Sequence, residues 1–365
     1  MKVCHLTSAH QRNDTRIFLK ECISLAKAEF EVSLVVSDGM GDTKCKGVSV
    51  FDVGKTKGGR LSRFFSTTQK VYEKAVELDA DVYHFHDPEL MFYAYRLKRL
   101  GKKVIYDVHE DLPRQLMSKP YLSYITKKVL PFLLERIENF LAARFDLVIT
   151  ATPFIRDRFL KINKNTIDVN NYPLLEELHS ADHYIQKKNQ ICYLGGITAI
   201  RGIEALVKAC ELIDGELVLA GKFNSRELEE KVRSLPGWKK VKFLGFINRE
   251  EARKILAESK AGVVTFLPEP NHINAQPNKM FEYMSASLPV IASHFTLWKS
   301  IIEDNDCGIC VNPASPKELA QAMNTLLNKH TKGLSYGKNG RQAVENQFNW
   351  AVEEKKFISQ YHKLA

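Results

Sequence analysis

The sequence holds 365 residues, with 53 Lys and Arg against 43 Asp and Glu and a formal net charge of +10. With 44% hydrophobic and 26% charged residues it has the composition of a folded globular protein. That excludes a disordered or collagenous chain, and the length predicts two domains. No apolar run reaches the roughly 18 residues of a membrane-spanning helix. The opening stretch, Met1 to Arg16, has a strand-length apolar run that soon turns polar. It is unlike a secretory leader, so a cytosolic protein is expected.

In chain order, short β-branched runs alternate with longer helical patterns. The runs KVCHLTS, EVSLVVSD, VSVFDVG, DVYHFHD, KKVIYDVHE and DLVITAT predict six strands in the first half. Helical patterns separate them, among them DTRIFLKECISLAKAE and an amphipathic stretch over about 121–143. Over 172–190 the pattern lapses into polar sequence, predicting a linker between domains at 1–175 and 188–348. The rhythm then restarts with QICYLGGI, GELVLAGK, KVKFLGFI, AGVVTFLP, LPVIAS and CGICVNP. Near-continuous apolar strands separated by helices predict parallel sheets covered on both faces, with ligands beyond the strands' carboxyl ends.

The basic excess is uneven: 28 Lys and Arg against 21 Asp and Glu over residues 1–170, and 25 against 22 over the rest. Anionic lipid or phosphorylated small molecules are its expected partners, since no nucleic-acid-binding motif is present. The seven cysteines are scattered, mostly in apolar runs, and read as core residues in a reducing compartment. Cys307 and Cys310 have redox or zinc spacing without a second pair to complete a site.

Neither GxxxxGK[ST] nor GxGxxG occurs, which argues against a P-loop enzyme and a dinucleotide dehydrogenase. Instead a predicted strand ends at Gly195-Gly196 and a helix opens near Arg201. Glycine amides, a helix start and a guanidinium suit a phosphate, although a plain strand-to-helix turn carries the same pattern. A second segment, Asn271 to Met284, leads a polar loop into a helix with Lys279 and Glu282 near its start. These suit a phosphate and a sugar hydroxyl, or simply a surface pair three residues apart. His84 and His86 share a strand face, a pattern compatible with a metal and equally with a structural or acceptor-side role. Asp107, Val108, His109, Glu110 and Asp111 end another strand, which suits catalysis or helix capping.

The Gly-Gly…Arg-Gly loop and the segment Asn278-Lys-Met-Phe-Glu-Tyr-Met…Leu-Pro-Val-Ile-Ala-Ser resemble the donor half of retaining family 4 glycosyltransferases. HLTSAHQRNDTRIFLKE, HFHDPEL and YDVHEDLPRQ are similar to a bacterial polysaccharide-biosynthesis branch of that family. The resemblance implies the GT-B fold: two Rossmann-like, doubly wound α/β domains facing a central cleft. A C-terminal helix, 349–365, is expected to cross back onto the N-terminal, acceptor-side domain.

It implies donor binding by Gly195, Gly196, Phe246, Ile247, Asn274, Met280, Phe281 and Glu282, with His109, Arg201 and Lys279 catalytic. Glu282 matches the second acid of the family's Glu-x7-Glu motif, whereas the first position is Asn274. Gly196 stands where the family has an arginine. Arg12, Arg16, His86, Asp87 and Glu110 are the implied acceptor-side residues. The implied reaction is metal-independent transfer of a hexose-type sugar, from a UDP-sugar ahead of a GDP-sugar, to a growing, lipid-linked glycan.

The acceptor side is basic and partly amphipathic: Lys55, Lys57, Arg60 and Arg63 precede Phe64-Phe65, and Lys127-Lys128 lie in the helix over about 121–143. That predicts peripheral contact with an anionic membrane. The rival expectations are a nucleotide-sugar epimerase of the same fold and a catalytically silent nucleotide- or glycan-binding partner.

Overall fold

A computed structural model describes residues 1–55, 63–117, 123–175, 177 and 186–364. The chain divides into two compact units, one of Met1–Asn171 with Ala351–Ala365 and one of Tyr172–Trp350.

In the first unit β1 (Lys2–Leu6), β2 (Glu31–Val36), β3 (Thr43–Cys45), β4 (Val48–Asp52), β5 (Val82–Phe85), β6 (Lys103–Val108), β7 (Leu147–Thr150) and β8 (Thr166–Asp168) form one sheet. Its order is β3-β4-β2-β1-β5-β6-β7-β8. All pairs are parallel except β3 with β4. The six expected runs all form strands. The two additional ones, β3 and β8, have three residues each, and β3 is wholly exposed, so neither leaves an apolar run in the sequence. The chain reverses direction of winding between β1 and β5, which opens a crevice at their carboxyl ends.

The second unit carries β9 (Gln190–Leu194), β10 (Glu216–Ala220), β11 (Val241–Gly245), β12 (Ala261–Val264), β13 (Val290–Ser293) and β14 (Gly308–Val311), in the order β11-β10-β9-β12-β13-β14. All are parallel, and the winding reverses between β9 and β12. These are the six expected runs. Their alternate side chains enter two cores, one on each face of the sheet: Ile191 and Leu219 on one side, Cys192, Val218 and Ala292 on the other. A strand buried on both faces must be apolar throughout, and that is why the runs are legible.

The expected linker begins later than predicted. Tyr172 is buried, and its ring packs on Phe281 and Phe348 at 4.7 and 5.4 Å, so it belongs to the second core. Residue 176 and residues 178–185 of that segment lie outside the described residues.

The C-terminal helix Trp350–Leu364 supplies residues 351–365 to the first unit. Phe357 and Tyr361 are fully buried there, and Tyr361 Oη lies 2.6 Å from His84 Nδ1. Glu353 accepts a hydrogen bond from the Asn170 amide at 2.9 Å, and Ser24 donates to Glu354. Truncating a fully buried aromatic leaves a cavity costing about 3–5 kcal/mol. Phe357→Ala is therefore expected to lower the stability of the first unit by that amount. Urea unfolding followed by a reporter in that unit checks it, and a change below about 1 kcal/mol would show that the helix is dispensable.

Candidate functional site

In the second unit the loops that follow β9 and β12 converge. Gly195 adopts φ +146°, a conformation that favours glycine, and its amide donates to Ala220 O at 2.9 Å. The chain then makes a short turn, Ala199–Arg201, before the helix Ile203–Cys210 begins at Gly202. Gly202 has φ +70°, and a Cβ there would stand 2.4 Å from Thr265 O, so only glycine fits.

Arg201 folds back over the glycine pair. Its Nη1 donates to Gly196 O at 3.2 Å, and its guanidinium stacks 5.2 Å from the Phe266 ring centroid. A Cβ on Gly195 would meet Arg201 Nη1 and Lys279 Cε, each at 3.7 Å. Two cations thus approach the same glycine backbone. Nearby loops hold buried, unpaired oxygens on Thr198, Thr265 and Gln276. The helix Asn278–Ser285 starts at Pro277 with no side-chain cap, and the Met280 amide already donates to Pro277 O at 3.0 Å, which leaves the start of the first turn to an anion.

Glu282 is gripped from two sides. Lys279 Nζ donates to Oε2 at 2.6 Å and Arg249 Nη1 to Oε1 at 3.2 Å. Burial pushes this carboxyl up, yet Lys279 and then Arg249 hold it below the usual carboxylate range. Arg249 also pairs with Glu177 at 2.7 Å. Sequence reasoning missed Arg249. It opens the helix Arg249–Glu258 directly after Asn248, whose capping box with Glu251 was the available signal.

Other expected donor residues divide by burial. Phe246 is 88% exposed on the loop after β11, while Ile247 packs partly against the core. Asn274 is half-buried in the loop before Asn278–Ser285. The side chains of Met280 and Phe281 are buried in the core, so a part in donor binding falls to the main chain of this segment. The helix must bury that stripe to dock on the sheet.

In the first unit, register assembles a polar cluster. His5 pairs with His84 across β1 and β5, and His86 and Asp107 follow at the ends of β5 and β6 on the same face. Asp107 is fully buried. Arg16 grips it through Nη2 at 2.7 Å and Nε at 3.0 Å. Burial works against the Asp107 carboxylate, but Arg16 and then His109 hold it well below the usual range. Asp107 Oδ2 in turn accepts from His86 Nδ1 at 3.1 Å and His109 Nε2 at 2.9 Å.

His109 is the partly exposed end of this chain, with the His10 ring 5.2 Å away. From the sequence Asp107 stood only as one member of the run that ends its strand, and His10 was not singled out. The register of β6, which sets Asp107 beside His86, was the missing information.

Several acceptor-side expectations are corrected here. Arg16 is buried against Asp107 and also donates to Val169 O at 2.8 Å, so it is not presented to a ligand. Arg12 forks onto Asp38 at 2.6 and 2.7 Å and ties two loops together. Asp87 is buried and accepts from Thr7 Oγ1 and the Ser8 amide at 2.8 and 2.6 Å, organising the loop after β1. His86 is buried as well. Glu110 alone of the five is exposed, beside Gln115.

Two family models match this chain. The one described as Glycosyltransferase Family 4 covers residues 17–169, and the one described as Glycosyl transferases group 1 covers residues 188–329. The chain belongs to glycosyltransferase family 4.

It is 28% identical over 179 residues to an uncharacterized glycosyltransferase of Methanocaldococcus jannaschii, MJ1607, a match covering 48% of this chain and 45% of that protein. It is 23% identical over 291 residues to O-antigen chain mannosyltransferase C of Escherichia coli, covering 75% and 73%. The solved structure of Anabaena Alr3699/HepE with UDP-glucose shares the fold along the whole of both chains, with a TM-score of 0.75 at 16% identity. The two sheets described above are those of a GT-B glycosyltransferase.

On the first unit of this glycosyltransferase, the helix Tyr124–Ala142 turns an apolar stripe outward: Ile125, Val129, Phe132, Leu133, Ile137 and Phe140 are all exposed. Arg136 and Arg144 lie over the Phe132 and Phe140 rings, at 5.0 and 3.5 Å. Among the described residues no helix is long and apolar enough to cross a membrane. Lys57 and Arg60, expected near this surface, lie outside the described residues, as do the side chains of Arg63 and Phe64.

The Glu282 grip has a pH signature. Its folded value lies below the unfolded one, so the carboxylate stabilises fully above about pH 4.3 and progressively less as pH falls through the folded value. Glu282→Gln is expected to flatten this part of the acid limb of a stability–pH curve. An unchanged acid limb, measured by denaturant titration, would show the grip is energetically idle.

Proposed function

We propose that this enzyme transfers a hexose-type sugar from a nucleotide-sugar donor to a growing, lipid-linked glycan, retaining the anomeric configuration and using no catalytic metal. A UDP-sugar is favoured ahead of a GDP-sugar. The observation that carries the reading is the approach of Arg201 and Lys279 to the Gly195-Gly196 backbone. Breaking the bond between the anomeric carbon and the phosphate oxygen leaves its electron pair on the diphosphate. Two cations, glycine amides and an uncapped helix start are preorganised for that charge.

The acceptor hydroxyl bonds to the anomeric carbon and its proton passes to the departing phosphate, so no enzyme nucleophile is needed. Phe246 offers an exposed face for the base, and Glu282 accepts from the ribose hydroxyls. His109, aligned by Asp107, is assigned to the reacting sugar. UDP-glucose bound to Anabaena HepE supports the choice of base. The O-antigen name of the Escherichia coli relative supports a cell-surface glycan.

Arg201→Ala and Lys279→Ala are each expected to cost about 2–4 kcal/mol of transition-state stabilisation, roughly 30- to 1,000-fold in kcat/KM. Phe246→Ala should weaken nucleotide binding without changing stability. A panel of nucleotide sugars, followed for nucleotide release with and without lipid-linked acceptor, reads both. Full turnover in both cation variants would remove the phosphate assignment, and tight nucleotide binding without transfer under any pairing would identify a silent binder.

The same reading assigns the apolar face of Tyr124–Ala142, with Lys127 and Lys128 beside it, to an anionic bilayer carrying the acceptor. Flotation with anionic liposomes is expected to weaken with salt and to be lost in a Lys127→Glu/Lys128→Glu variant. Binding that persists in that variant would overturn the assignment.

A further inference from the structure

Beneath the Asp107 cluster lies a deeper group that the proposed reaction does not use. His5, Glu21, His84 and His86 are all fully or almost fully buried, and each offers one ligand atom, with all four atoms within 4.8 Å of one another. We propose that they form a closed, four-coordinate zinc site that holds the first unit together.

The first argument is geometric. His5 Nδ1 lies 3.0 Å from His86 Nε2 and 3.9 Å from Glu21 Oε2, and His84 Nε2 lies 4.0 Å from Glu21 Oε2. Bonds of ordinary zinc–imidazole and zinc–carboxylate length set the edges of a tetrahedron at about 3.3–3.4 Å, which these separations bracket.

The outer nitrogens give the second argument. A metal-bound imidazole usually donates its other N–H to an oxygen, which fixes the ring and its tautomer. His86 Nδ1 meets Asp107 Oδ2 at 3.1 Å, and His84 Nδ1 meets Tyr361 Oη at 2.6 Å. His86 therefore carries its proton outside and turns a lone pair inward, and His84 does the same in the tautomer whose Nδ1–H donates to the Tyr361 hydroxyl.

Satisfaction and charge give the third. His84 Nε2 and Glu21 Oε2 are buried without a hydrogen-bond partner. A proton on His5 Nδ1 would satisfy the His5–His86 pair, but it leaves those two atoms unmet. Arg16 neutralises one of the two buried carboxylates, Asp107, through its fork, while Glu21 faces Arg16 only through Nε at 3.0 Å. A dication meets the inward lone pairs and balances Glu21 in its carboxylate form.

Three imidazoles and one carboxylate suit zinc, and four protein ligands leave no open coordination position. The ion is structural, and this inference stands apart from the reading of the donor half. His5 is the weakest ligand, because its outer Nε2 has no partner.

The test is metal analysis of the full chain, expressed with zinc and passed over a chelating resin. One zinc per chain is expected, retained under native conditions and released by chelator in denaturant. Refolding with zinc should raise the melting temperature over refolding without it, and refolding with Co2+ should give the ligand-field bands of a tetrahedral site. Glu21→Gln, nearly isosteric, should lose the metal while keeping its far-ultraviolet circular dichroism, as should His84→Gln. Folded wild type without zinc after both zinc-loaded expression and zinc refolding would overturn the proposal. So would one zinc per chain persisting in Glu21→Gln and His84→Gln, or a zinc lost only on His109→Ala.

Discussion

The fork between Arg16 and Asp107 is the interaction on which the N-terminal site depends. Asp107 ends β6 with no exposure, where an unpaired carboxylate would be severely destabilised. Arg16 supplies two N–H groups to it and a third to Val169 O, so one side chain joins the helix after β1 to the ends of β6 and β8. Removing one member of such a buried pair costs about 3–5 kcal/mol, because the other charge is left stranded. Because Asp107 stays ionised, it orients His86 and His109 together. The partly exposed histidine inherits its direction from a buried pair.

The two units use the same topological opportunity with different chemistry. In each, the polar groups gather where the winding of a parallel sheet reverses, since strand ends there leave a crevice and free backbone. The first unit fills its crevice with histidines and carboxylates locked by register. The second keeps glycine backbone bare and brings cations to it from neighbouring loops. The uneven charge acquires a physical meaning in this contrast. The second half carries the smaller excess, and Arg201, Lys279 and Arg249 are the cations it gathers at the glycine loop and Glu282.

Much of the fold was legible because parallel strands buried on both faces read as continuous apolar runs. All twelve such runs became strands, while β3 and β8, short and without apolar pattern, did not announce themselves. The glycine pair, Arg201, Lys279 and Glu282 were legible as a segment of motif. What the motif did not carry was occupancy: Lys279 and Arg249 share Glu282, and Met280 and Phe281 serve the core. Arg12, Arg16, His86 and Asp87 looked like ligand-facing residues because they sit in polar, motif-like sequence. Their partners, Asp38, Asp107, His5 and Thr7, come from other strands and loops, and a one-dimensional pattern holds no register between strands.

The chain passes from one unit to the other twice, after Asn171 and after Trp350. The second unit is continuous in sequence, whereas the first is interrupted by it. During synthesis the second unit has all its strands before the segment that carries Phe357 and Tyr361 emerges. The first unit, begun earliest, is therefore finished last. Until Tyr361 arrives, His84 lacks its hydroxyl partner and the buried histidine row lies open along the face that the helix Trp350–Leu364 later covers.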